Sequence, residues 1–165
     1  MKKFLLSIAV VMALQLAAYG ADTSLMGMKS KLMDESKAVK GLIQTSTDAI
    51  LVNNMWDSCV VAITQLDAYF YMLGIFNTIK RENVTANAVE YLTRWLDGMK
   101  KSNSLNIESL KSITYEIDPT TQAHIKILTG YFAELNSKID GELDRVGILA
   151  RATAGSAAST VAGKK

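Results

Sequence analysis

The sequence predicts an all-α protein, an antiparallel up-down-up-down four-helix bundle preceded by a cleavable signal peptide. Three observations carry that expectation: apolar residues recur at steps of three and four in four separate segments, strand and hairpin signals are missing, and Pro119 is the sole proline. Steps of three and four keep side chains on one stripe of a helix, whereas a half-buried strand would alternate.

The N-terminus reads as a leader. Met1-Lys2-Lys3 is a short positive region, Phe4 to Ala18 is an apolar run broken only by Ser7 and Gln15, and Ala18 and Gly20 supply small residues for a cut before Ala21. That order of charge, hydrophobe and small residues is the pattern of a secretory signal peptide. A membrane span needs roughly 20 apolar residues, more than this run supplies. Residues 1–20 are therefore the expected leader, 21–151 the bundle domain and 152–165 a disordered tail. The tail, Ala-Thr-Ala-Gly-Ser-Ala-Ala-Ser-Thr-Val-Ala-Gly-Lys-Lys, has nothing large to bury against its ordering entropy. The middle portion suits one ordinary domain.

The first segment places Leu25, Met28, Leu32, Val39 and Leu42 on one stripe, with Glu35 and Ser46 at seam positions. Its junction with the second, near Gln44 to Asp48, is weakly marked, so the two helices are open to being continuous. The second segment is the most regular: Val52, Trp56, Cys59, Ile63, Leu66, Phe70 and Leu73 form one stripe, and Met55, Ala62, Tyr69 and Phe76 a second beside it. So wide an apolar sector predicts a helix with two neighbours.

Arg81-Glu82-Asn83 is the expected next turn, with Asn83 or Thr85 as cap. The third segment then sets Val84, Ala88, Tyr91, Trp95, Gly98 and Ser102 on a seam, with Leu92, Leu96 and Met99 alongside. Ser102-Asn103-Ser104 is a candidate break, because those side chains compete for backbone hydrogen bonds. The fourth begins with Asp118 as cap and Pro119 at the first helical position, where a missing N–H loses nothing. It continues through Leu128, Phe132, Leu135, Ile139, Val146 and Leu149, with Glu142 at a seam position.

Composition excludes several function classes. The precursor carries 18 Lys and Arg against 16 Asp and Glu, and losing Lys2 and Lys3 with the leader leaves the two in balance. No clustered basic face argues for nucleic acid. One cysteine, Cys59, forbids an internal disulfide and is read as a small buried hydrophobe. One histidine, His124, removes every site that needs two imidazoles, and it is read as a surface or cap-proximal residue of the first turn. No catalytic, metal-binding or cofactor motif is present, so no catalytic, metal or cofactor residue is assigned.

The remaining irregularity is the cluster Tyr69-Phe70-Tyr71-Met72 with Ile75 and Phe76. Successive residues point about 100° apart around a helix, so one core stripe cannot take them all. Tyr69, Tyr71, Met72, Ile75 and Phe76 are the candidate interaction face, since exposed aromatics and methionine favour protein contacts. Asp67 and Asn77 interrupt the apolar run and argue against a second membrane span. The expected function is that of an exported, periplasmic or secreted, non-enzymatic protein acting on a protein partner or as a homo-oligomer in the cell envelope. The alternative is a carrier or sensor of a small apolar ligand, with non-covalent haem between His124 and a methionine such as Met55 as its special case.

Overall fold

A computed structural model describes residues 24–78 and 86–162, with side chains described for 24–75 and 88–147. The expected leader, the turn at Arg81 to Asn83, Val84 and the side chains of Phe76 and Leu149 lie outside the described residues. Every regular element among the described residues is helical: α1 (24–42), α2 (Ala49–Thr78), α3 (Ala86–Lys111) and α4 (Pro119–Ala162). Together they enclose one apolar core.

The α1 stripe is as its spacing predicts, with Leu25, Met28, Leu32 and Val39 buried and Glu35 among them. The helix ends in a turn in which the Ser46 amide donates to the Leu42 carbonyl at 2.8 Å. Helices one and two are not continuous. Asp48 Oδ1 accepts the Leu51 amide at 2.8 Å, capping α2 where its first turn has no helical acceptor. Asp118 caps α4 in the same way, accepting the Thr121 amide at 2.8 Å and the Thr121 hydroxyl at 2.7 Å.

These caps also join the two connections. Ser46 Oγ donates to Asp118 Oδ2 at 3.1 Å, and the Tyr115 hydroxyl donates to Asp48 Oδ2 at 2.6 Å. The α1–α2 and α3–α4 turns are thus stitched together at one end of the bundle, each cap serving its own helix and a neighbouring loop.

Inter-helix pairs set the registers. Lys29 pairs with Asp67 and Lys40 lies over the Trp56 ring, tying α1 to α2. The Trp95 indole donates to the Gln65 carbonyl at 3.2 Å and Ser58 to Asn106 at 3.3 Å, tying α2 to α3. Asn103 donates to Asn136 at 3.1 Å and Lys100 pairs with Asp140 across α3 and α4. Lys31 pairs with Glu134 across α1 and α4. Helix α2 accordingly has α1 on one flank and α3 on the other.

Two sequence expectations for α3 are corrected. The Ser102-Asn103-Ser104 break is absent, because Ser104 Oγ bonds the Lys100 carbonyl one turn back and the Asn103 amide is engaged by Asn136, leaving the helical ladder intact. The buried stripe is Leu92, Leu96, Met99, Asn103 and Leu110, while Tyr91 and Gly98 are exposed. A rotation of one residue, about 100°, brings the larger aliphatic side chains inward in place of Gly98 and Ser102, which bury little.

At its C-terminal end α4 continues in helical backbone to Ala162, past the boundary drawn at residue 151. The stretch is rich in alanine, the strongest helix former, which sustains helical backbone without large side chains to pack.

Candidate interaction face

Helix α2 contains no lysine or arginine, and its charges are Asp57 and Asp67. Its fully buried line is Val52, Met55, Cys59, Ala62, Leu66 and Tyr69. That line runs between the two stripes visible in the sequence. Trp56, Ile63 and Phe70 are rotated to its edge and only partly buried. The opposite side of the helix is exposed, and it carries Ile50, Val60, Val61, Tyr71 and Ile75.

The structure therefore divides the sequence-predicted face. Tyr71 is 72% exposed and Ile75 41% exposed, both on the outer side. Met72 is half-buried and packs against the core. Tyr69 is 0% exposed and leaves the face, because its position on the helix coincides with the core line. Phe76 lies outside the described side chains. Val60 and Val61, outside the sequence-predicted face, carry exposed apolar side chains about three turns from Tyr71 toward the middle of the helix. The signal for them was present: two adjacent valines cannot both lie on a stripe centred on Cys59 and Ala62.

The face continues onto both neighbours. Met26 and Met33 stand three before and four after Lys29, the residue that pairs with Asp67, so they share its edge of α1, and both are exposed. Tyr91 stands four before Trp95 on the α2-facing edge of α3 and is 54% exposed. By contrast α4 offers only Ile127 among exposed large hydrophobics of its described side chains.

Beneath this face lie polar groups that spacing alone did not pair. Tyr69 donates its hydroxyl to Glu142 on α4, and Arg145, three residues on, also donates to Glu142. Burial first, and then the charge of Glu142, push the Tyr69 phenol well above its usual range. Arg145 Nε and Nη1 are buried without a partner among the described residues. Near the stitched end, His124 Nδ1 lies 2.6 Å from Glu35 Oε1, with both side chains largely buried. His124 is thus a largely buried residue close to the capped start of α4, joined to α1 through Glu35; of its two expected positions, surface or cap-proximal, the surface one is corrected.

Cys59 is fully buried, its thiol pushed up to about 12 by burial and then by the Glu35 charge. A thiol so disfavoured as thiolate is a poor nucleophile and packs as a small hydrophobe. Met55, weighed from the sequence as a haem ligand opposite His124, is a core side chain, and the Nδ1 of His124 is taken by Glu35. Among the described residues no three His, Cys, Asp or Glu side chains come together as a metal site.

Exposed Val60, Val61, Tyr71 and Ile75 thus form the outer side of α2, with Tyr69, Glu142 and Arg145 joined by hydrogen bonds on its inner side. No known protein family, curated protein or solved structure matches the chain.

Proposed function

We propose that the chain is an exported, non-enzymatic protein of the cell envelope, folded as an antiparallel up-down-up-down bundle, that works by protein–protein contact through the outer face of α2. The observation that carries the reading is the concentration of exposed Val60, Val61, Tyr71 and Ile75 on a helix without a single basic residue. Such a face gains by leaving water, at about 25 cal/mol for each Å² of apolar surface covered. A contiguous apolar patch beyond a few hundred Å² on a soluble protein marks a contact site.

The antiparallel arrangement is supported by the pairings Lys29 with Asp67 and Lys40 with Trp56, in which one residue number rises as the other falls. Export is supported by the basic start, apolar run and small residues before Ala21. By length and composition Ala49–Ile75 would also cross a membrane. Its use here as a bundle helix is favoured by the inner line from Val52 to Tyr69, which is consumed by the core.

The test is site-specific photo-cross-linking in the producing cells, with a photoreactive phenylalanine analogue at position 71 and a control at Lys126 on α4. Protein adducts from position 71 and none from position 126 are expected. An absence of adducts from positions 71, 61 and 60 alike would overturn the reading.

A further inference from the structure

We infer that the α1–α2 and α3–α4 connections form a single acid-released clasp, which closes one end of the core and opens both connections together when Asp48 and Asp118 gain protons. The observation that carries it is reciprocity. Each capping carboxylate uses Oδ1 on the first turn of its own helix, holding the Leu51 and Thr121 amides, and offers Oδ2 to the other connection. Tyr115 of the second connection donates to Asp48 at 2.6 Å, and Ser46 of the first donates to Asp118 at 3.1 Å. Ser46 Oγ also accepts the Asp48 amide at 3.2 Å and lies 3.1 Å from Thr121 Oγ1, so one hydroxyl touches both caps. Loosening either connection therefore takes a donor from the other's cap, which makes the two turns one cooperative unit.

What the clasp covers is apolar. Leu42 and Ile43 lead into the first connection, Ile113 and Ile117 lie in the second, and all four pack against the core. Opening sets them in water and leaves the deeper line of α2 from Met55 to Tyr69 in place. Acid is the release because the acceptors are carboxylates, and a neutral carboxyl holds the same donors more weakly. Neither aspartate has a cationic partner among the described residues. Lys40 of α1 lies over the Trp56 ring and His124 of α4 pairs with Glu35, while Asp57 of α2, Glu108 and Lys111 of α3 and Glu116 of the second connection form no ion pair with either. The donors of the clasp hold both carboxyls below their ordinary range. A group lowered on folding contributes above its unfolded pKa and loses that contribution as pH falls through the folded one, so release begins below about pH 4.

The experiment is amide hydrogen exchange followed by NMR, on the isotopically labelled chain expressed at full length and purified as it accumulates. Near neutral pH, Tyr115→Phe is expected to speed exchange about tenfold at Thr121 as well as at Leu51, with the Leu135 amide in the middle of α4 unchanged. Ser46→Ala is expected to act from the other side, speeding Leu51 together with Thr121. When the wild type is acidified from about pH 6 to about pH 3, the amide signals of 46–51 and 115–121 are expected to move with one common midpoint. Far-UV circular dichroism is retained over that range, and a dye that binds apolar surface brightens severalfold. Thr121 unmoved by Tyr115→Phe, midpoints for the two connections more than about one pH unit apart, or helix lost in the same step as the signals move, overturns the inference.

Discussion

Replacing Tyr69 by phenylalanine removes one oxygen and leaves the ring in place, so it isolates the hydroxyl's bond to Glu142. Both ends are interior, Tyr69 at 0% and Glu142 at 4% exposure, so water is poorly placed to substitute for the lost donor. A hydrogen bond to a charged group contributes about 1.5–3 kcal/mol. Arg145 remains on Glu142 in the variant. A loss of about 2 kcal/mol follows, and with it a fall in Tm of roughly 6–10 °C for a domain of this size. Glu142→Gln is the companion, because it strips the counter-charge from an arginine whose Nε and Nη1 lack partners among the described residues. Breaking a fully buried pair costs about 3–5 kcal/mol, and the 20% exposure of Arg145 reduces the expectation to about 2–3 kcal/mol. The assay is urea unfolding followed by circular dichroism, for the two single variants and the double, with a coupling of about 1 kcal/mol expected between neighbours of this kind. A second readout is alkaline pH. The folded phenol titrates above its unfolded value, so its contribution is complete below about pH 10 and declines as pH rises beyond it. The gap between wild type and Tyr69→Phe therefore narrows in that range. A Tyr69→Phe variant within about 0.5 kcal/mol of wild type, with no alkaline narrowing, refutes the buried bond.

Two further outcomes follow from other parts of the bundle. Gly98, Gly130 and Gly141 lie within helices, and a Cβ at each would meet nothing within 4 Å. Each Gly→Ala replacement is expected to add about 1 kcal/mol, read as a stepwise rise in Tm as the three are combined, and a fall at any of them would contradict the open space. The caps set the acid limit. Asp48 is held below the usual carboxylate range first by the Tyr115 hydroxyl and then by the Leu51 amide, and Asp118 by the Thr121 amide and hydroxyl. Groups lowered on folding stabilise above their unfolded pKa and lose that contribution as pH falls through the folded one, so Tm declines below about pH 4. Asp48→Asn and Asp118→Asn flatten that decline when Tm is followed against pH.

Much of this architecture was legible in residue order. The four apolar periodicities, the Asp118–Pro119 start of α4 and the seam positions of Glu35 and Glu142 each depend on neighbours within a turn or two, where helix geometry alone relates sequence to space. The contact face was only half legible. The crowding of aromatics near Tyr71 announced that one of them must turn outward, yet Tyr69, placed on the candidate face, is the one most deeply inside.

What residue order determined was that these segments are helices and roughly where they begin, because propensity, capping and period act within a single turn. What only the tertiary structure decided was the rotation of each helix about its own axis. On α2 and α3, adjacent stripes of similar apolarity compete, and the neighbouring helices select between them by the volume each presents. The same rotation brought Glu35 to His124 and Tyr69 to Glu142, partners 89 and 73 residues apart, whose meeting no local pattern encodes.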